Sequence, residues 1–196
     1  VELRAGDRVY ADDVIETGAD GNTGVRFVDG TTLSLSVDSR VDLDDIAFEP
    51  ASGTGSFIMS VTHGIFRLIT GRIAQGDPEA VEIRVPSGTI GIRGTAFGCT
   101  VGTSSVCVLL ADPNGHVGRI LFSNTAGSVL LTQLYASAAA EAMSSLPLAG
   151  VLSEDQARGL LGDVLDQRTE VEPGAGPQQG GNASFASLDA AQGHDA

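Results

Sequence analysis

The stretch from Val81 to Phe97, VEIRVPSGTIGIRGTAF, restricts the architecture more than any other part of the chain. Val81, Ile83 and Val85 alternate with Glu82 and Arg84, the period of a strand with one buried face. Ile90 and Ile92 resume that alternation after Pro86-Ser87-Gly88. Proline has a fixed φ and no N–H, so Pro86 belongs at a strand end, while Gly88, Gly91 and Gly94 leave room for another backbone to come close. Two strands are therefore expected to meet at a corner of a compact all-β layer.

The rest of the first two thirds follows the same period. Val25 and Phe27 share one face, as do Leu33, Leu35 and Val37, with Ser34 and Ser36 opposite. A two-residue Asp29-Gly30 hairpin would pair Phe27 with Thr32 and put the two apolar sets on opposite sides. An odd-length loop, or a corner where the chain changes sheet, would pair Phe27 with Leu33 instead, and the corner is the preferred reading. Ala51–Ser56 reads as a loop, and FIMSVTHGIFRLITGRI from Phe57 to Ile73 reads as two buried strands broken at Gly64 and Gly71. Val106–Leu110 and His116–Phe122 flank the turn residues Asp112-Pro113-Asn114-Gly115, and Ser128–Tyr135 adds another strand. The 26 glycines and the absence of Trp suit short strands and tight turns.

Composition changes at Ser137, which divides the chain into a β domain (1–136), a helical extension (137–168) and a Gly/Gln-rich extended tail (169–196). Ala138 to Met143 is expected to form a short helix ended by Leu146-Pro147. Ser153-Glu154-Asp155-Gln156 is a capping box, and Ala157, Leu160, Leu161, Val164 and Leu165 follow at helical spacing. That apolar stripe is expected to dock on its own domain, with a partner's groove as the alternative for Leu160, Leu161, Val164 and Leu165. The tail cannot bury enough apolar surface to order itself, so an ordered tail would point to contact with an adjacent copy.

The run VPSGTIGIRGTAFG resembles the signature of FecR-type domains through Val85, Pro86, Ile90, Ile92, Arg93, Gly94, Thr95 and Phe97. A second block of the pattern lies upstream, in Gly6-Asp7, Thr17-Gly18 and Asp29-Gly30-Thr31. The resemblance implies an extracytoplasmic β domain, solenoid- or sandwich-like, that binds other proteins. In the best-known members it relays the state of an outer-membrane receptor to an anti-sigma factor. The leading expectation is thus a non-catalytic protein-binding or scaffold module of the bacterial envelope. A structural subunit, whose helix and tail contact copies of itself in a surface assembly, and a periplasmic signal-relay component are the alternatives.

Net charge is −14, and all eleven basic residues are Arg. Such a field repels phosphate backbones and anionic lipid, so nucleic acid is a poor partner, which leaves a basic protein, a cation or simply solvent. No apolar run reaches the ~20 residues needed to span a bilayer as a helix. The start at Val1 is consistent with a processed or trimmed N-terminus.

Cys99 and Cys107 fall opposite each other if Gly102–Ser104 form a hairpin loop, which allows a cross-strand disulfide and with it an oxidising compartment. Two small core residues, or a zinc site with further ligands, are the other readings.

His63 lies in a buried-looking segment, His116 follows a turn and His194 lies in the tail. No hydrolase, metalloprotease or nucleotide-binding motif accompanies them, so an enzyme, a cofactor or a catalytic metal is not expected. Asp38, Asp42, Asp44, Asp45 and Glu49 read as a solvated, charge-guarded edge, with a calcium site as the minority reading. Arg93 is expected to pair with a carboxylate or cap backbone carbonyls at the corner, with recognition as its other role.

Overall fold

A computed structural model describes residues 2–166 and, as backbone, a strand at 183–188. In chain order the strands are β1 (Arg8–Val9), β2 (Val14–Glu16), β3 (Asn22–Arg26), β4 (Thr32–Leu35), β5 (Arg40–Glu49) and β6 (Thr54–Ile69). After the short helix α1 (Arg72–Gly76) come β7 (Val81–Val85), β8 (Gly88–Arg93), β9 (Ala96–Val101), β10 (Ser105–Leu110), β11 (Arg119–Asn124) and β12 (Gly127–Leu131). The chain then adds β13 (Ala136–Ala140), β14 (Leu148–Val151), α2 (Glu154–Leu161) and β15 (Ala183–Leu188).

The long strand β6 joins two layers. Its first half pairs with β5 on one side and β7 on the other; its second half pairs with β4 and β9. One layer therefore runs β2-β5-β6-β7-β8-β11-β12, and the other runs β1-β15-β3-β4-β6-β9-β10-β13-β14. Sharing β6 wraps the two into a nearly closed, barrel-like sheet. Alternate residues of each strand point inward, and Phe57, Phe66, Phe97 and Phe122 are fully buried at the centre of the core. Edge-to-face pairs link Phe27 to Phe57 at 4.8 Å and Phe66 to Phe97 at 5.7 Å.

Several expectations from the sequence need correction. Phe57–Ile73 holds one strand rather than two, because at Gly64 (φ +115°) the strand bends without ending. The true stop is Gly71, after which Arg72–Gly76 turn into α1. The corner at Pro86–Gly88 is a hairpin, with Val85 opposite Gly88 in one layer. The corner at Asp29-Gly30 is also a hairpin, but its odd loop pairs Val25 with Leu33 and keeps the two apolar sets on one face, while Val37 is exposed. The helix expected over Ala138–Met143 is instead strand β13, paired with β10 through Cys107–Ala138. Its alanines have high helix propensity, but the small residues fit a fully buried strand against β10, and tertiary packing overrides propensity. The boundary placed at 137 thus falls inside the sheet.

α2 forms behind its capping box, with the Ser153 hydroxyl accepting from the Gln156 N–H and the Gln156 side chain accepting from the Ser153 N–H. Ala157, Leu161 and Val164 are buried against Ala96, Val108 and Leu110 on the outer surface of the β9–β10 layer. Thr100 also donates to the Leu160 carbonyl at 2.9 Å. Leu160 and Leu165 pack on the same cluster, so the stripe considered for a partner faces its own domain. Of the tail, only 183–188 falls within the described residues; His194 and the rest lie outside them.

Cys99 and Cys107 are opposite each other in β9–β10, 4.1 Å apart at Cα, and form a fully buried disulfide. Its sequence separation of 8 implies about 2.5 kcal/mol on the chain-entropy model. Replacing both cysteines by alanine is expected to lower the urea midpoint by an equivalent of about 2–3 kcal/mol. Unchanged midpoints in oxidised and fully reduced, denatured-and-refolded protein would remove the disulfide from the account of stability.

Candidate protein-binding face

Several of the residues that carry the resemblance are tied into turns and the buried interior. Thr95 donates its hydroxyl to the Leu110 carbonyl at 3.0 Å and accepts from the Gly118 N–H at 3.1 Å. Its own N–H reaches the Thr70 hydroxyl at 2.9 Å. Phe97 is fully buried, and Pro86 occupies the β7–β8 turn. Thr17 ties the loop before β5 by accepting from the Ser39 N–H at 2.8 Å and donating to the Ser36 carbonyl at 2.6 Å. Asp29 and Gly30 form the β3–β4 turn, with the Asp29 carboxylate turned inward.

Arg93 departs from expectation. It is exposed at the last position of β8, and directly opposite it on β11 stands a second exposed arginine, Arg119. Among the described residues neither forms an ion pair. By contrast, Arg40 pairs with Glu16 and Asp42, Arg84 with Glu82 and Asp44, and Arg158 with Glu154 and Asp166. Like charges facing each other across strands are unfavourable, so the Arg93–Arg119 pair is not explained by stability.

The same outward face continues into an apolar shelf. Two residues along each strand, Gly91 lies opposite Leu121, and Leu121 lies opposite Leu130 on β12. No atom lies within 4 Å of where a Gly91 side chain would begin, so the shelf is open beside Leu121. Leu121 and Leu130 are 42% and 57% exposed. Beyond β12 lies the edge strand β14, which comes close to β12 but, among the described residues, pairs only with β13. Leu148 and Val151 of β14, and Leu146 just before it, are each at least 60% exposed. Asn124 holds this corner by donating to the carbonyls of Ser87, Ala142 and Ser145. An apolar shelf rimmed by two unpaired guanidinium groups, on a molecule of charge −14, suits a protein surface that offers apolar side chains beside a carboxylate.

The sequence carried a signal for this face. The runs Ile120-Leu121-Phe122 and Val129-Leu130-Leu131 cannot bury every side chain of a strand on one side. Ile120, Phe122 and Leu131 take the core, which leaves Leu121 and Leu130 outside.

The acidic group does not gather into a metal site: Asp42 and Asp44 are neutralised by Arg40 and Arg84, and Asp44 also accepts from Ser60 at 2.6 Å. No group of three metal-ligating side chains occurs among the described residues. His63 is exposed rather than buried because it sits at the β6 bend, and His116 is exposed too. Neither has a side-chain hydrogen-bond partner among the described residues. Burial lowers the Arg67 guanidinium below its usual range, and its Nε is buried without a partner among the described residues.

Two crystal structures of proteins from Parabacteroides distasonis, assigned as anti-sigma factors, share this fold with TM-scores of 0.55 and 0.54. Sequence identity is 11% and 10%, over 74% of this chain and 61% of each of those proteins. The chain thus spans about three fifths of their length, and the likeness is one of fold. No curated protein matches the sequence. A family model described as FecR protein matches residues 13–111, from just before β2 to just after β10. That span takes in the Thr17, Asp29–Thr31 and Thr95–Phe97 positions whose hydrogen bonds and packing hold the two layers, and the chain belongs to the FecR family.

Proposed function

We propose that this chain is a non-catalytic protein-recognition domain of an extracytoplasmic, FecR-type signal relay. The observation that carries the proposal is the face formed by Arg93, Arg119, Leu121 and Leu130. Two further points support it: the fold is shared with proteins assigned as anti-sigma factors, and a disulfide in the core suits an oxidising compartment such as the periplasm. Recognition through the sheet leaves α2 its structural task.

A photo-crosslinking residue placed at Leu130 in the native host is expected to capture one protein species. The same residue at exposed Asp45, on β5, should capture none. The double variant Leu121→Thr/Leu130→Thr, which puts no like charges opposite each other, is then expected to weaken that partner's binding by about 100-fold, the scale of a central interface site. Its urea midpoint should stay within an equivalent of about 0.5 kcal/mol of wild type, as for exposed positions. Equal capture at both positions, or full affinity in the double variant, would end the proposal. Capture of a second copy of the chain would instead favour a structural subunit.

A further inference from the structure

Strand β3 has one edge on β4, and its other edge carries residues 183–188. They run parallel to β3, with Ala183 opposite Asn22 and Ser187 opposite Arg26. On the far side, among the described residues, the segment pairs only with β1, through Ser187 and Leu188. Parallel neighbours cannot be joined by a tight turn, and here the intervening chain is residues 167–182. We infer that the outer edge of β3 is a strand-acceptor site whose resident occupant is the chain's own segment 183–188, tethered in cis, so that the C-terminal segment gates this edge against other extended chains.

Three observations point to an exchangeable strand. The segment reads ASFASL: it has no charge and no proline and includes Phe and Leu, a composition suited to strand addition, whereas the sequence before it is GAGPQQGGN. β1 is two residues long, so the segment is held chiefly by β3. The connection 167–182 can reach at most roughly 55 Å when extended. A short tether of this kind gives an effective concentration of about millimolar. That favours the cis strand over a second copy's strand in dilute solution. A competitor must therefore be an uncharged extended segment that runs parallel to β3 and outbids its tethered equivalent. This inference does not depend on which protein docks at Leu121 and Leu130.

The full chain with Ala186→Pro tests it, since proline opposite Val25 removes an N–H and resists an internal strand position. Hydrogen exchange at residues 22–26 is expected to speed up by ~100-fold, while amides of β9 and β10 keep wild-type rates. Ala190→Pro, placed after the strand, should change neither. A synthetic peptide of residues 181–190 should restore protection in the Ala186→Pro chain, and should bind the wild-type chain ~100-fold more weakly or less because of the tether. Light scattering should give a monomer mass for wild type and variant. The inference is overturned if exchange at 22–26 is unchanged in Ala186→Pro, or if the peptide binds both chains equally or neither. A wild-type dimer that Ala186→Pro dissolves also overturns it, by giving the slot to a second copy.

Discussion

Alanine at Gly64 is expected to cost about 4 kcal/mol or more, a large share of the stability of an ordinary domain. Gly64 has φ +115°, where an L side chain is strained by roughly 1–3 kcal/mol on its own. The larger part is steric. A side chain there would begin 2.1 Å from the Ser39 Oγ, 2.4 Å from its Cβ and 2.5 Å from its Cα. Ser39 has no room to retreat, because it is 1% exposed and its hydroxyl accepts from the Ile65 N–H at 3.2 Å. Its own N–H is held by Thr17 at 2.8 Å. The bend in β6 and the loop before β5 are thus locked into each other where the two layers part. Removing the Ser39 side chain should rescue little, since the clash with the backbone at residue 39 remains: Ser39→Gly/Gly64→Ala should stay within about 1 kcal/mol of Gly64→Ala. Gly30 is the control. It too has positive φ (+90°), but open space surrounds it, so Gly30→Ala should cost only about 1 kcal/mol. Urea midpoints at constant m-value decide the matter, and equal losses at Gly30 and Gly64 would refute the steric argument.

The sequence showed strand existence far better than strand partnership. Alternation at Val81–Val85 and Leu33–Leu35, and the facing cysteines of β9–β10, are local signals, and local geometry obeys them. What alternation lacks is the distinction between ending a strand and bending it. Gly64 looks like a break in the sequence, yet β6 continues through it because Ser39, distant in the chain, fills the space a side chain would need. The helix expected at β13 fails for a related reason: ASAAA has helix-forming residues, and only the neighbouring β10, which packs small residues against Cys107 and Val108, makes it a strand. The candidate face was half legible. The apolar runs of β11 and β12 foretell surplus Leu side chains, but the meeting of Arg93 with Arg119 depends on pairing between strands separated by two others in sequence. The apolar neighbours of Arg93, Ile92 among them, suggest a buried role, yet a strand's period sends Arg93 to the opposite side from Ile92.

Asp29→Ala should be the costliest change among the motif's polar residues, at about 3–4 kcal/mol, because it leaves several buried donors without an acceptor. Asp29 is 2% exposed; one carboxylate oxygen accepts from the Thr31 N–H at 2.9 Å. The other accepts from the Thr31 hydroxyl at 2.7 Å and the Ile73 N–H at 3.4 Å. Thr31 Oγ1 accepts in turn from the Gly71 N–H at 2.9 Å, and the Asp29 carbonyl accepts from the Arg72 N–H at 2.9 Å. α1 has no cap from Gly71, the residue at its N-terminus, so a residue of the β3–β4 turn serves instead. The Asp-Gly-Thr sequence therefore does two tasks: it turns one hairpin and it fastens the end of β6 to α1. Asp29→Asn keeps one acceptor and swaps the other for an NH2 group facing the Ile73 N–H, so it should cost about half as much as alanine. Thr31→Val should cost about 1–2 kcal/mol, and the double variant Asp29→Ala/Thr31→Val should fall short of the sum because the two share their hydrogen bonds. Strict additivity in that cycle, or a loss below about 1 kcal/mol for Asp29→Ala, would show that the hairpin and α1 are held by apolar packing around Ile73 instead.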